Sequence, residues 1–338
     1  MTVPPLSPPL SPLLSVSSLS LGIRHRNRPD TVIVDDLSLE IAPGERFGVV
    51  GESGSGKSLT LRAIADLLPR GVEVLSGSIV YDGRELVGMP SAARRRLMGP
   101  EIAMIFQEPM TALNPVVRVG DQIAEGPRRH LGLSAKDAGR LAVELMAKTG
   151  IPDPARRARA YPHELSGGLR QRIMIAMAVS CGPRLLLCDE PTTALDVTVQ
   201  HQVLKVLEGL CADTGTALAF VTHDLAVVNQ TCTDMAVMYS GHIVESGTVR
   251  DVLGDPRHPY TKGLLDSAPD FDQPDRRLVP IPGFPPNLAA RPPGCPFAPR
   301  CTFVVDACTA AVPPREVVAP GHDAACIETH RIFEGAPA

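Results

Sequence analysis

The sequence predicts an α/β core interrupted by a helical subdomain and followed by a C-terminal extension rich in proline and cysteine. Three observations carry that expectation. Short apolar runs at 46–50, 102–106, 185–188 and 217–222 alternate with segments of helical period, the pattern of buried strands between helices. From Val119 to about Ser180 the pattern turns helical and more charged. Beyond residue 254 proline becomes frequent, and three cysteines fall between 295 and 308. A length of 338 residues suits one large domain with an appendage. Tryptophan is absent and aromatics make up 4% of the chain, so aliphatic side chains must fill the core. The net charge of −4 gives no global basic field to draw the chain onto nucleic acid or anionic lipid.

The elements follow in order. Residues 1–18, rich in proline and serine, read as a disordered tail; they lack the basic start and unbroken apolar stretch of a signal peptide. Residues 31–42 alternate apolar and polar positions and end at Pro43-Gly44, a strand and its turn. The strand at 46–50 leads through a glycine-rich loop into a helix over 59–68. Residues 76–86 read as a hairpin turning at Asp82-Gly83, and 236–247 as a second hairpin. The core spans 19–253, with the helical subdomain at about 110–180 and the extension at 254–338. The apolar run 173–179 is far short of the roughly 20 residues a membrane span needs, so the chain is expected to be soluble on its own. Arg94-Arg95-Arg96 and Arg156-Arg157 read as solvated faces. Cys181, Cys188, Cys211 and Cys232 lie singly in strand or helix patterns as small core residues, and a reducing compartment is expected to leave all eight cysteines without disulfides.

Chemistry enters at GESGSGKS (51–58), which fits the G-x-x-x-x-G-K-[ST] pattern between a strand and a helix. Gly51, Gly54 and Gly56 let backbone N–H groups turn inward around phosphate oxygens, together with those of Ser53, Ser55 and Leu59. Lys57 can reach the outer phosphates, and Ser58 can offer a hydroxyl to Mg²⁺. LLLCDE (185–190) supplies the second half: Asp189 at a strand end to hold Mg²⁺ through water, and Glu190 to polarise an attacking water. LSGGLRQR (165–172) opens another helix with Ser166, Gly167 and Gly168, a second anion-binding surface. It cannot serve the same phosphate as the first loop unless the chain folds back on itself or two subunits pair.

The ordered set GESGSGKS, Gln107 in IFQEP, LSGGLRQR, LLLCDE, the ALD of 194–196 and His223 in VTHD resembles the nucleotide-binding subunit of ABC transporters over roughly residues 19–255. That resemblance implies a P-loop NTPase fold with a RecA-like core, ATP as substrate and Mg²⁺ as cofactor. It implies that Gln107 touches the metal and the attacking water, that His223 touches the γ-phosphate, and that Asp196 crosses a dimer interface. Two nucleotides would lie sandwiched between subunits, so Ser166, Gly167 and Gly168 would serve the partner's ATP. The family's adenine-stacking aromatic would fall in LGIRHRNR (21–28), which has none; Arg24 or His25 offers a planar side chain instead.

IFQEPMTALNP (105–115), YPHELSGGLRQR (161–172), DEPTTALDVTVQ (189–200), HPYTKGLL (258–265) and GCPFAPRC (294–301) resemble the dipeptide/oligopeptide and nickel importer branch. The implied partners are a second ATPase subunit, two transmembrane permease subunits and, indirectly, an extracytoplasmic peptide-binding protein, with the chain peripheral on the cytoplasmic face of the membrane. Import of nickel or another small solute, or an exporter role, is the alternative. A repair or chromosome-organising ATPase would carry a long coiled coil between Lys57 and Ser166, and a translation-associated one would carry two cassettes; neither is present. Cys295, Cys301, Cys308 and Cys326 leave five, six and seventeen residues between them, without the tight knuckle of structural zinc. Such spacing suits a [4Fe–4S] cluster; zinc, with His322 or His330 as a substitute ligand, or unligated thiols are the other readings.

Overall fold

The computed structural model describes residues 11–108, 112–193, 196–269, 278–288 and 291–333. A large sheet runs through the centre in the order β11-β12-β10-β9-β3-β8-β7-β6. Its parallel part consists of β3 (Arg46–Val50), β6 (Ile102–Ile105), β7 (Leu185–Asp189), β8 (Ala217–Thr222) and β9 (Asp234–Tyr239). These are the apolar runs of the sequence, and β7 and β8 are buried along their whole length, as parallel strands covered on both faces must be. A second, antiparallel sheet, β2-β1-β4-β5, joins β1 (Leu14–Ile23), β2 (Thr31–Ile41), β4 (Glu73–Tyr81) and β5 (Arg84–Glu85).

Alternation along the strands builds two cores. Leu185 and Leu187 point to one side and share a buried cluster with Leu61 and Ile64 of α1 (Lys57–Ile64) and with Val16, Leu19 and Ile79 of the small sheet, so α1 lies between the two sheets. Leu186 and Cys188 point to the other side, packing with α7 (Val197–Thr214) and α8 (Leu225–Thr231). The helical subdomain has its own cluster, built from α3 (Val119–His130), α4 (Ala135–Lys148) and α6 (Gly167–Val179). Two short helices complete the set: α2 (Ser91–Leu97) precedes β6, and α5 (Pro154–Arg157) lies between α4 and α6 within the subdomain. Both hairpins turn through two residues in the left-handed region: Asp82 and Gly83 (φ 47° and 74°) into β5, and Ser240 and Gly241 (φ 46° and 86°) into β10 (His242–Thr248). That is the turn whose twist suits a hairpin.

The extension packs onto the second core without forming a separate one. α9 (Val249–Gly254) and α10 (Pro259–Ser267) lead into it, β11 (Glu316–Ala319) and β12 (His322–Ala324) extend the large sheet, and α11 (Thr329–Phe333) follows. Tyr260 and Phe297 are buried in the same cluster as Phe220 and Tyr239. His258 caps α10 by accepting from the Tyr260 N–H at 3.1 Å, and Pro259 takes the first helical position, where a missing N–H costs nothing. Burial pushes the His258 imidazole down to about 3, so it stays neutral and free to accept.

Three expectations change. The tail expected over 1–18 gives way to β1 at Leu14, because Leu14, Val16, Leu19 and Leu21 alternate with serines and bury against β2 and β4; residues 1–10 lie outside the described residues. The helix expected over 59–68 ends at Ile64, with Asp66 in the left-handed region (φ 61°) and the Leu67 N–H closing back on the Arg62 carbonyl at 2.8 Å. Arg94 is not part of a solvated face. It is 4% exposed and donates to the carbonyls of Ala63 and Ile64, both at 2.8 Å, which neutralises the negative end of α1.

Candidate functional site

β3 lies between β8 and β9 and delivers the chain to the loop at 51–56. Two of its glycines are enforced by the fold: a Cβ on Gly51 (φ 152°) would sit 2.0 Å from the Met238 carbonyl oxygen, and one on Gly56 (φ 103°) 2.8 Å from the Met238 methyl. Lys57 is 4% exposed, with Nζ donating to the carbonyls of Gly51 at 2.7 Å and Glu52 at 2.9 Å. Burial lowers its pKa, while Glu190, Asp189 and Glu52 act to keep it charged. Ser58 Oγ donates to Asp189 Oδ1 at 2.5 Å across from the end of β7.

Asp189 is 1% exposed, and burial raises its pKa. Its Oδ2 has no hydrogen-bond partner, and Arg62 approaches it only to 3.7 Å. An orphaned buried carboxylate oxygen beside a serine hydroxyl is a hard donor set that fits Mg²⁺. Glu190 adopts φ 47°, a conformation that costs a non-glycine residue free energy and here turns its side chain into the site. Its Oε2 accepts from Gln107 Nε2 at 3.2 Å and Thr193 Oγ at 2.9 Å, and lies 3.4 Å from His223 Nδ1. Three strand ends (β6, β7 and β8) therefore bring Gln107, Glu190 and His223 to one point.

These groups line one cavity of about 600 Å³ together with Ser53, Gly54, Ser55, Gly56, Ser58 and Leu59. Ile33, Arg62, Pro69, Val72 and Leu288 complete its wall, and none of them was singled out from the sequence. Arg62 was within reach of a pattern argument, since it stands one helical turn beyond Ser58 on α1. Leu288 arrives from the extension, with no local signal. Neither Arg24 nor His25 contributes to the wall: Arg24 pairs with Glu73 at 3.2 Å, and His25 Nε2 meets Thr31 Oγ at 3.0 Å.

The signature loop stands apart from this cavity. Ser166 is the N-cap of α6, exposed, and makes no capping hydrogen bond. A Cβ on Gly167 would meet nothing within 4 Å, whereas one on Gly168 would lie 2.8 Å from Val199. Asp196 caps α7, accepting from the Val199 N–H at 3.0 Å. Ala194 and Leu195 lie outside the described residues, as do residues 109–111 of the stretch after Gln107.

Cys295, Cys301, Cys308 and Cys326 converge on a separate small cavity under the extension. Burial raises the thiol pKa of Cys295 and Cys301 and pushes Cys326 up to about 12. The Phe303 N–H donates to Cys301 Sγ at 3.4 Å. Among the described residues no three His, Cys, Asp or Glu side chains are gathered closely enough to hold a single metal ion. All eight cysteines are free thiols; Cys188, Cys211 and Cys232 are buried in the core and Cys181 is half-buried. Among the described residues no helix is long and apolar enough to cross a membrane.

The profile of the ABC transporter family matches residues 34–193, and that of the oligopeptide/dipeptide transporter C-terminal region matches residues 244–308. A putative peptide import ATP-binding protein of Brucella melitensis is 49% identical over 333 residues, covering 95% of this chain and 98% of the relative. The oligopeptide transport ATP-binding protein OppD of Salmonella typhimurium is 44% identical over 95% of both chains. OppD of Mycobacterium tuberculosis is 50% identical over 96% of this chain, which spans about half (53%) of that longer protein. Among solved structures, the dimeric post-hydrolysis state of the ATP-binding cassette MJ0796 with ADP and Pi superposes with a TM-score of 0.63 at 22% identity, over 70% of this chain and 99% of that one, a likeness of fold. With the strand-end site and both matched regions in place, the chain belongs to the ABC transporter family as an ATP-binding subunit, with the C-terminal region of its oligopeptide/dipeptide transporters.

Proposed function

We propose that this chain hydrolyses ATP to energise an importer of di- and oligopeptides, paired with a second ATPase subunit beneath two membrane permease subunits at the cytoplasmic face. The observation that carries the ATPase reading is the convergence of Lys57, Ser58, Gln107, Glu190 and His223 on one cavity. Peptide import rests on the relatives' names and on the matched C-terminal region. Those names favour peptides over nickel as cargo.

In this reading the backbone N–H groups from Ser53 to Leu59 receive the phosphates, and Lys57 exchanges its two carbonyl partners for phosphate oxygens. Ser58, Asp189 and Gln107 hold Mg²⁺, which neutralises charge on the phosphates when bound. Glu190 takes a proton from the attacking water, and His223 and Gln107, already beside its carboxylate, fix the direction of attack. The exposed Ser166, Gly167 and Asp196, with the half-buried Gly168, serve the nucleotide of the partner subunit. Closure of the pair on ATP, and its release after hydrolysis, moves the permeases through the segment following Gln107.

The same reading gives Cys295, Cys301, Cys308 and Cys326 a [4Fe–4S] cluster as a structural staple. What supports it is the convergence of four thiols on one cavity. Iron analysis and visible absorbance of anaerobically purified protein test this; colourless protein containing zinc overturns it. For the ATPase, Glu190→Gln in the assembled complex is expected to keep ATP binding and slow hydrolysis by about 10²–10⁴-fold. Turnover at the wild-type rate would overturn the assignment.

A further inference from the structure

The phosphate loop carries a carboxylate of its own. Glu52, its second residue, stands beside the cavity rather than in its wall, but its carboxylate acts on the Lys57 ammonium that is to meet the phosphates, and its backbone carbonyl is held by Lys57 Nζ. A free carboxylate there would oppose the ligand by simple repulsion. The structure does not leave it free. Arg300, 248 residues further along the chain, forms a two-pronged pair with it: the guanidinium donates to Glu52 Oε2 at 2.7 Å and to Oε1 at 3.0 Å. Its side chain is 5% exposed and is fixed on the remaining edges as well, with Nε donating to the Pro282 carbonyl at 2.8 Å and a terminal nitrogen to Tyr239 Oη at 3.3 Å. The guanidinium carbon also lies 5.8 Å from the Tyr239 ring centre and 6.0 Å from that of Phe297. A second contact from the same region holds the backbone: the Glu52 N–H donates to Tyr260 Oη at 2.8 Å.

We propose that Arg300 is a positioning residue for the phosphate loop: it neutralises and anchors Glu52, so that a loop bearing its own negative charge still accepts a triphosphate. The inference rests on the ATP-binding reading of residues 51–58 and extends it to a residue outside the nucleotide-binding core. Arg300 sits in the turn Ala298–Arg300, between Cys295 and Cys301, so the affinity of the loop depends on a properly folded cysteine-bearing extension. The pair is half-buried, with the Arg300 side chain 5% and the Glu52 side chain 27% exposed, and removing the guanidinium leaves the Glu52 charge without its partner. Restoring neutrality from the other side removes that cost.

The test uses the full-length chain and equilibrium binding of ATP with Mg²⁺. Arg300→Met is expected to weaken ATP binding about tenfold or more, and the double variant Arg300→Met with Glu52→Gln to return to within about threefold of wild type. Affinity unchanged in Arg300→Met, or a loss that Glu52→Gln does not repair, overturns the proposal. If Arg300→Met does not fold, Arg300→Gln and Arg300→Gln with Glu52→Gln are judged by the same repair, since glutamine keeps a polar amide at 300 but loses the charge. Amide hydrogen exchange over 51–58 in the nucleotide-free chain gives a readout independent of ATP: faster exchange in the Arg300 variant supports the anchor, and unchanged exchange overturns it. If the wild-type chain fails to bind ATP, the nucleotide reading fails, and the exchange measurement still decides whether Arg300 holds the loop.

Discussion

Two glycine-bearing loops in this chain open helices, and they are built on opposite terms. In the phosphate loop the fold itself demands the glycines: side chains at Gly51 and Gly56 would collide with Met238. Lys57 is satisfied by the loop's own carbonyls, Ser58 by Asp189, and Glu52 by Arg300 and Tyr260. In the signature loop, Gly167 faces open space and Ser166 caps nothing with its hydroxyl. Among the described residues nothing requires a glycine at 167. The requirement that the proposed function supplies is external, the close approach of a partner's nucleotide, and the difference teaches how one sequence can hold one complete half-site and one incomplete one.

The comparison breaks or sharpens under substitution. Lys57→Ala is expected to weaken ATP binding by the isolated chain about 100-fold, since a charge-assisted contact is worth up to about 3 kcal/mol. Gly167→Ala should leave that binding unchanged while lowering ATP turnover in the assembled complex; equal loss of binding in both variants would erase the distinction between the loops. Next in size is an effect of pH. His258 has its pKa lowered to about 3 by burial, against about 6.5 in an unfolded chain. A depressed pKa stabilises the fold above the unfolded value, and that contribution is lost as pH falls from about 6.5 toward 3. Between pH 6.5 and 5 it amounts to about 2 kcal/mol. Because His258 caps the helix whose Tyr260 holds Glu52, acidification should lower the protection of 51–58 against hydrogen exchange, measured relative to the intrinsic rate at each pH, and leave that of 166–172 unchanged. Gly168→Ala is expected to cost about 1–3 kcal/mol by crowding Val199, with Val199→Ala relieving it. The smallest effect belongs to Gly167→Ala, whose thermal stability should change by less than about 1 kcal/mol.

Much of this was legible in the sequence because it is local. GESGSGKS declares its loop by glycine spacing, and the two hairpins declare their turns by Asp82-Gly83 and Ser240-Gly241. Gln107, Glu190 and His223 each follow an apolar strand, and strands of one parallel sheet end on one side, so their meeting follows from topology. What escaped is nonlocal or masked by composition. β1 hides among prolines and serines, although Leu14, Val16, Leu19 and Leu21 carry its buried face. Arg94 sits in a run of arginines that looks solvated, yet its partners are the carbonyls ending α1, some 30 residues earlier. Leu288 and Arg300 reach the nucleotide cavity and its loop across more than 200 residues, a distance over which no periodicity or spacing carries information.

That separation also sets an order of events during synthesis. Glu52 leaves the ribosome 248 residues ahead of Arg300, an interval of roughly 10–50 s at ordinary elongation rates. Throughout it the nascent chain has its phosphate loop and its lysine, but the Glu52 carboxylate beside them has no Arg300 to pair with. A chain cut short before residue 300 keeps the same defect permanently. On the proposed role of Arg300, the loop acquires its anchor only when the last part of the protein has been made and folded.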